Sequence, residues 1–266
     1  MTTGHRGSVY LAAGTFLDVS ADRLVDIALS LDGCAGIGLR LSGEHAIDNS
    51  ARARDLRSRL AGGGQRVFDI EVVRVSDGFE APSALSLITR AADVGASHVL
   101  AVSDLGDSSA RDPLDRSIAM FASLAELARE HGLEVAVEYM AWTTPHDVDG
   151  ALRVHAETGC RIVVDLLHHT RIGASVHDLE RLVRADAVAW VQICDAPITL
   201  DAESLVAEAR HGRLIPGEGS LPLRDYLAVI PAHIDVGIEV QSNQLLTVEP
   251  RERARRLFDA TLALVN

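Results

Sequence analysis

Four side chains with oxygen donors interrupt apolar stretches at comparable places in the second half of the chain. The stretches read VAVEYM with Glu138, RIVVDLLHH with Asp165, AWVQICD with Gln192 and VGIEVQS with Glu239. On β-strands, two-residue alternation sets Glu138 on the face of Ala136, Asp165 on that of Val163 and Gln192 on that of Trp190. Three carboxylates gathered in one place repel one another and are costly to ionise, and a cation is the simplest resolution. Together with the amide they form a hard, all-oxygen donor set that suits Mn²⁺ or Mg²⁺, with Co²⁺ acceptable, better than Zn²⁺. Any one of these acids could instead pair with an arginine at a loop start; four groups on consecutive strands favour one divalent ion. Chelated by a substrate carbonyl and a neighbouring hydroxyl, such an ion would stabilise the enediolate formed when a proton leaves the adjacent carbon.

The elements that must position these groups form a repeat. Eight apolar β-type runs, at 8–12, 36–41, 67–75, 98–103, 134–139, 161–166, 188–194 and 236–240, alternate with eight amphipathic runs. The latter, at 21–31, 50–60, 83–94, 114–130, 147–157, 176–183, 221–230 and 251–264, carry leucine, alanine or valine at helical spacing. Ser20 and Asp147 stand as N-caps, Pro82, Pro113 and Pro250 at helix starts, and Gly95, Gly132 and Gly159 after helix ends. The strands are almost continuously apolar, as buried parallel strands are, and no GxGxxG follows the first. Eight βα units in 266 residues predict a (β/α)8 TIM barrel, a single domain over residues 1–266 with its active site at the C-terminal strand ends. Residues 62–64 read as a turn, and 196–220 as a longer insertion after the seventh strand.

Composition removes whole mechanisms. The chain has 25 basic and 38 acidic side chains, a net charge of −13, and every basic one is arginine. Without lysine there is no Schiff-base chemistry, no covalently held pyridoxal phosphate and no P-loop lysine. No organic cofactor is expected, and a carbonyl must be polarised by a metal or by hydrogen bonds. The acidic balance argues against a nucleic-acid partner. Cys34, Cys160 and Cys194 form no CxxC and are odd in number, which speaks against a disulfide framework and fits a reducing cytoplasm. The N-terminal sequence lacks a leader-like pattern and no run approaches ~18 apolar residues, so neither secretion nor a membrane is expected.

The order of Glu138, DLLHH with Asp165 and His168, Gln192, RHGRLIPGEG from Arg210 to Gly219, and Glu239 in IEVQS resembles the sugar phosphate isomerase/epimerase family of xylose isomerase-like TIM barrels. The resemblance follows most of the chain in strand order, its specific motifs lying in the second half. It implies that Glu138, Asp165, Gln192 and Glu239 bind one divalent metal and that His168 contacts substrate. It implies further that Glu138 and Glu239 exchange protons on either face of a small polyhydroxylated carbonyl compound, a sugar or sugar phosphate. The sequence departs from the family at one ligand. Sugar epimerases usually carry histidine as the third ligand, and Gln192 is similar instead to the 3-dehydroshikimate dehydratase branch, lyases that polarise a ketone before eliminating water. There His168 would be the acid or base. Zinc endonucleases of the same superfamily need a histidine-rich multinuclear site and a basic groove, which this acidic sequence lacks. A non-catalytic ligand-binding barrel would hold no tightly bound divalent ion.

Arg210 and Arg213 precede the Pro216-Gly217-Glu218-Gly219 loop, and Arg40 and Arg74 lie near the ends of the second and third strands. Arg210, Arg74 and Arg213 are the expected substrate contacts, able to clamp a carboxylate or phosphate if the small keto or polyol substrate is anionic. Most other arginines should pair with the abundant surface carboxylates. Glu71 reads as a buried partner within the barrel, with an acid facing the mouth as the alternative, Asp195 as a group that orients a loop or an arginine, His169 as structural and Cys194 as packing. The helix faces are compatible with a homo-oligomer.

Overall fold

The computed structural model describes residues 7–104, 112–198 and 204–266. Eight parallel strands close into a barrel in chain order, the last pairing with the first. They are β1 (Val9–Leu11), β2 (Gly36–Leu39), β3 (Arg66–Ser76), β4 (His98–Asp104), β5 (Glu134–Glu138), β6 (Arg161–Asp165), β7 (Val188–Ile193) and β8 (Asp235–Ile238). All eight expected strands form, within two residues at either end. Around them run α1 (Ala21–Leu29), α2 (Ser50–Gly62), α3 (Leu85–Val94), α4 (Pro113–Glu130), α5 (Val148–Thr158), α6 (Leu166–Arg171), α7 (Val176–Arg184), α8 (Leu205–His211), α9 (Leu223–Val229) and α10 (Pro250–Val265).

The strands are apolar on both faces because both are covered. Leu11, Ile37, Val99, Val137, Ile162, Val191 and Ile238 face outward under the helices. Tyr10, Phe68, Leu100, Val102, Ala136, Val163 and Trp190 fill the lumen, forming a floor on which the polar strand ends rest. Helix boundaries follow local chemistry. Ser20 and Asp147 accept the Arg23 and Gly150 amides as N-caps, and Gly95, Gly132 and Gly159 follow α3, α4 and α5 in the left-handed region that other residues avoid.

Three local features differ from the sequence reading. The run at 83–94 divides into a 3-10 turn (Ala81–Ala84) and α3, with Pro82 in the turn. A short α6 starts directly after β6 because Asp165 caps it. The insertion at 196–220 contains α8; its residues 199–203 lie outside the described residues. No helix among the described residues is long and apolar enough to cross a membrane.

Candidate metal centre

Glu138 is the last residue of β5, Asp165 the last of β6, Gln192 the penultimate of β7, and Glu239 directly follows β8. Each points to the lumen side, as Ala136, Val163 and Trp190 do two residues earlier, and all four are buried. Asp165 and Gln192 are register partners on adjacent strands. Asp165 Oδ1 caps α6, accepting the amides of Leu167 at 2.8 Å and His168 at 3.3 Å. That cap turns His168 back over the strand ends, with Nε2 3.7 Å from Glu138 Oε1 and 3.8 Å from Asp165 Oδ2. One ligand atom from each of Glu138, Asp165 and His168 lies within 4.8 Å of the other two. Trp142 packs edge-on against the imidazole at 5.1 Å.

Arg213 enters this cluster from the segment after α8. Its Nη1 donates to Asp165 Oδ2 at 2.6 Å and to the Glu239 carbonyl at 3.0 Å, and lies 3.5 Å from Glu239 Oε2. Its Nη2 is 3.4 Å from His168 Nε2. Arg213 is therefore a buried bridge between two of the acids as well as part of the cavity lining. Its place is fixed by a second buried pair, in which Arg171 of α6 grips both carboxylate oxygens of Glu208 in α8 at 2.7 Å. That pair was not expected: the two residues are 37 apart and nothing local marks them.

The electrostatics of the cluster favour a further cation. Glu138, Asp165 and Glu239 against Arg213 sum to −2 when all are ionised, the charge that a divalent ion cancels. Burial pushes Glu138 well above the usual carboxylate range, with Glu239 and Asp165 adding to it. Burial likewise pushes Glu239 up to about 8, against the pull of Arg213. Burial works to raise Asp165, but Arg213, His168 and the Leu167 amide together outweigh it and hold that carboxyl below its ordinary value. His168 is pushed down to about 4 by burial and is neutral near pH 7. Gln192 supplies an independent sign: Oε1 and Nε2 are both buried and neither has a hydrogen-bond partner among the described residues. Buried polar atoms left so are rare and cost about 1–3 kcal/mol each. An orphaned amide among three under-neutralised carboxylates fits a hard divalent ion. Gly14 makes the space, since a Cβ there would lie 2.2 Å from Glu239 Oε1.

Above the cluster opens a cavity of about 590 Å³. Glu138, His168, Glu239 and Arg213 line it beside apolar Leu100, Val102, Met140 and Trp142. Arg74 and Arg210 also line it, are exposed, and have no carboxylate partner among the described residues. Asp195 orients a loop: Oδ1 accepts the Ala196 and Leu221 amides and Oδ2 that of Gly217. His169 is structural, bonded to the Tyr139 hydroxyl at 2.7 Å and to the Ser175 carbonyl at 2.9 Å. Cys194 is buried in the outer core. Glu71 lines the cavity and pairs with Arg40 at 3.1 Å, a position that strand alternation alone does not give.

The family model for the xylose isomerase-like TIM barrel matches residues 83–260, more than half of the chain. No curated protein matches the sequence. Among solved structures, a xylose isomerase domain containing protein from Salmonella typhimurium LT2 superposes with a TM-score of 0.81 at 14% identity, covering 100% of both chains. The IolI protein with a bound zinc atom gives 0.81 at 15% identity over 97% of this chain and 98% of that one. A D-allulose 3-epimerase from Methylomonas sp. gives 0.71 at 14% identity over 99% of each. At such identities the likeness extends to the fold. Fold, strand-end chemistry and the sequence match agree, and the chain belongs to the xylose isomerase-like TIM barrel family.

Proposed function

We propose that the protein is a divalent-metal-dependent isomerase or epimerase of a small polyhydroxylated carbonyl compound. The observation that carries this reading is the buried level of Glu138, Asp165, Gln192 and Glu239 beneath an open cavity, with the Gln192 amide unpartnered among the described residues and only Arg213 to offset the three acids. These four residues would hold one Mn²⁺ or Mg²⁺, with Co²⁺ acceptable. When bound, the ion would supply the Lewis acidity that polarises a carbonyl and stabilises an enediolate.

Every other part of the reaction falls to the chain. Glu138 and Glu239, at the two ends of the arc, take and return the proton on the carbon beside the carbonyl. Arg213 keeps Asp165 ionised and fixes its orientation. His168, neutral and in contact with Arg213 through Nε2, touches the substrate. Leu100, Val102, Met140 and Trp142 exclude water and strengthen each charge interaction. Arg74 and Arg210, at the cavity wall and without a carboxylate partner among the described residues, would bind a carboxylate or phosphate on the substrate. The D-allulose 3-epimerase that shares the fold, solved with D-allulose, supports a ketose as a first probe.

Gln192 favours a second reading, a lyase of the 3-dehydroshikimate dehydratase type, in which the same proton removal is followed by loss of hydroxide and His168 serves as acid or base. Incubation of the Mn²⁺-loaded protein with D-allulose, D-fructose and 3-dehydroshikimate separates the two. An epimerised or isomerised sugar conserves mass, whereas dehydration of the ring yields a new aromatic ultraviolet absorbance. Retention of full metal content in both Glu138→Gln and Glu239→Gln would remove the basis of either reading.

A further inference from the structure

We propose that Glu71 is a further catalytic residue, which exchanges a proton with the substrate from the β3 side of the cavity that the metal centre opens into. The inference rests on the metal-assisted reading above. In a closed ring of eight strands taken in chain order, β3 lies across the lumen from β7, so Glu71 faces the arc that carries Glu138, Asp165, Gln192 and Glu239. Its side chain lines the same cavity as Glu138 and Glu239.

The two oxygens of Glu71 have different surroundings. Oε2 accepts Arg40 Nη2 at 3.1 Å, which fixes the carboxyl in direction. Oε1 is buried and has no partner in full hydrogen-bond geometry among the described residues, although the Ala13 amide lies close enough to the carboxyl to help lower its pKa. A carboxylate with one oxygen anchored and the other bare is unusual as a structural ion pair, because a buried lone pair left unmet is costly. It is the arrangement a proton-transfer group needs: aimed, held and free to bond. Val72, Leu100 and Val102 line the same cavity and make that part of its wall apolar. Burial pushes Glu71 above the ordinary carboxylate range against the pull of Arg40.

The backbone explains why this residue reaches the cavity. Straight alternation would set Glu71 with Val73 and Val75, which face the helices. Between Ile70 and Val73 the register against β4 shifts, with Ile70 opposite Val99 and Val73 opposite Ala101. The extra residue breaks the alternation and re-aims Glu71, as bulges beside active sites do.

In the step assigned to it, the C–H bond on the substrate face turned toward β3 breaks and an O–H bond forms on Glu71 Oε1. The C–H electron pair becomes the new carbon–carbon double bond, and the carbonyl π pair moves onto its oxygen. Delivery of a proton from Glu138 or Glu239 to the opposite face of that carbon, with the electron pairs moving back, completes the conversion.

The test uses the Mn²⁺-loaded full chain in D₂O with D-allulose, D-fructose and 3-dehydroshikimate, following deuterium entry or dehydration by NMR. Wild type should react with at least one. Glu71→Gln should lose turnover on the order of 10²–10⁴-fold, with KM within about threefold, because the group acts in the transition state. Its bound manganese should equal that of wild type, in contrast to Glu239→Gln. Glu71→Asp, which keeps the charge opposite Arg40, should recover part of the rate. Turnover of Glu71→Gln within about threefold of wild type, or loss of its metal as in Glu239→Gln, overturns the proposal while leaving the functional reading intact. Inertness of metal-loaded wild type toward all three probes overturns both.

Discussion

Replacing Gly14 by alanine tests whether the position of one carboxylate controls metal binding. Gly14 lies in the 3-10 turn after β1 (Ala13–Phe16) and its backbone does not occupy the left-handed region, so alanine is allowed conformationally. The new Cβ would lie 2.2 Å from Glu239 Oε1, 3.1 Å from Glu239 Cδ and 3.0 Å from Gln241 Nε2. Ordinary contact begins near 3.4 Å, so the carboxylate must retreat by about 1 Å. It has little room, being buried with Arg213 at 3.5 Å on its other oxygen. A ligand displaced that far should lower metal affinity by about 10–100-fold, the range seen when the support of a ligand is lost, and catalysis on the order of 10²-fold. Gly62→Ala is the matched control, because a Cβ there meets nothing within 4 Å. Manganese titrations of the two variants by calorimetry give the comparison. Affinity of Gly14→Ala within about threefold of that of Gly62→Ala would refute the view that Glu239 is held in a fixed ligand position.

Three further outcomes follow from the same geometry. In the metal-free protein Glu239 stands at about 8, against 4.5 for a free glutamate, so the folded state keeps a proton that the unfolded state has released and stability falls as pH rises through that window. Neutral His168, pushed to about 4 from 6.5, gives the opposite slope below 6.5. The net decline should therefore appear between about pH 6.5 and 8, amount to about 2 kcal/mol from Glu239 alone, and vanish with saturating Mn²⁺; urea midpoints that rise over this range without metal would contradict it. Arg213→Met strands the buried Asp165 carboxylate, and urea denaturation of the metal-free variant should show a loss of about 3–5 kcal/mol, with a smaller loss when Mn²⁺ is present. Asp195→Ala frees the amides of Ala196, Gly217 and Leu221, so it should cost about 1–3 kcal/mol in the same assay and leave manganese content unchanged.

The barrel was readable because each unit repeats one physical pattern, a short doubly buried strand followed by a one-faced helix. The four strand-end groups were readable for the same reason: an acid or amide inside an apolar run has no place in a lumen core, and alternation with Ala136, Val163 and Trp190 gives its direction. Glu71 was legible as a buried partner within the barrel, as its pairing with Arg40 bears out, but its direction was not, because alternation fails at a register shift that depends on pairing with β4 and leaves no local mark. Arg213 was visible as a cation near the mouth, but its burial between Asp165 and Glu239 depends on α8, held by Arg171 and Glu208 through contacts distant in sequence. The short α6 could have been anticipated from Asp165 itself, since an aspartate ending a strand is a good N-cap. The apolar DLL that follows conceals it by continuing the strand pattern.

The account turns on one ion held by four strand ends. Anomalous diffraction at the manganese edge from crystals soaked in Mn²⁺ tests this directly. A single peak at bonding distance from an oxygen of each of Glu138, Asp165, Gln192 and Glu239 is the predicted result. The absence of a peak there, or a peak held by Glu138, Asp165 and His168 with Gln192 and Glu239 unligated, would contradict it.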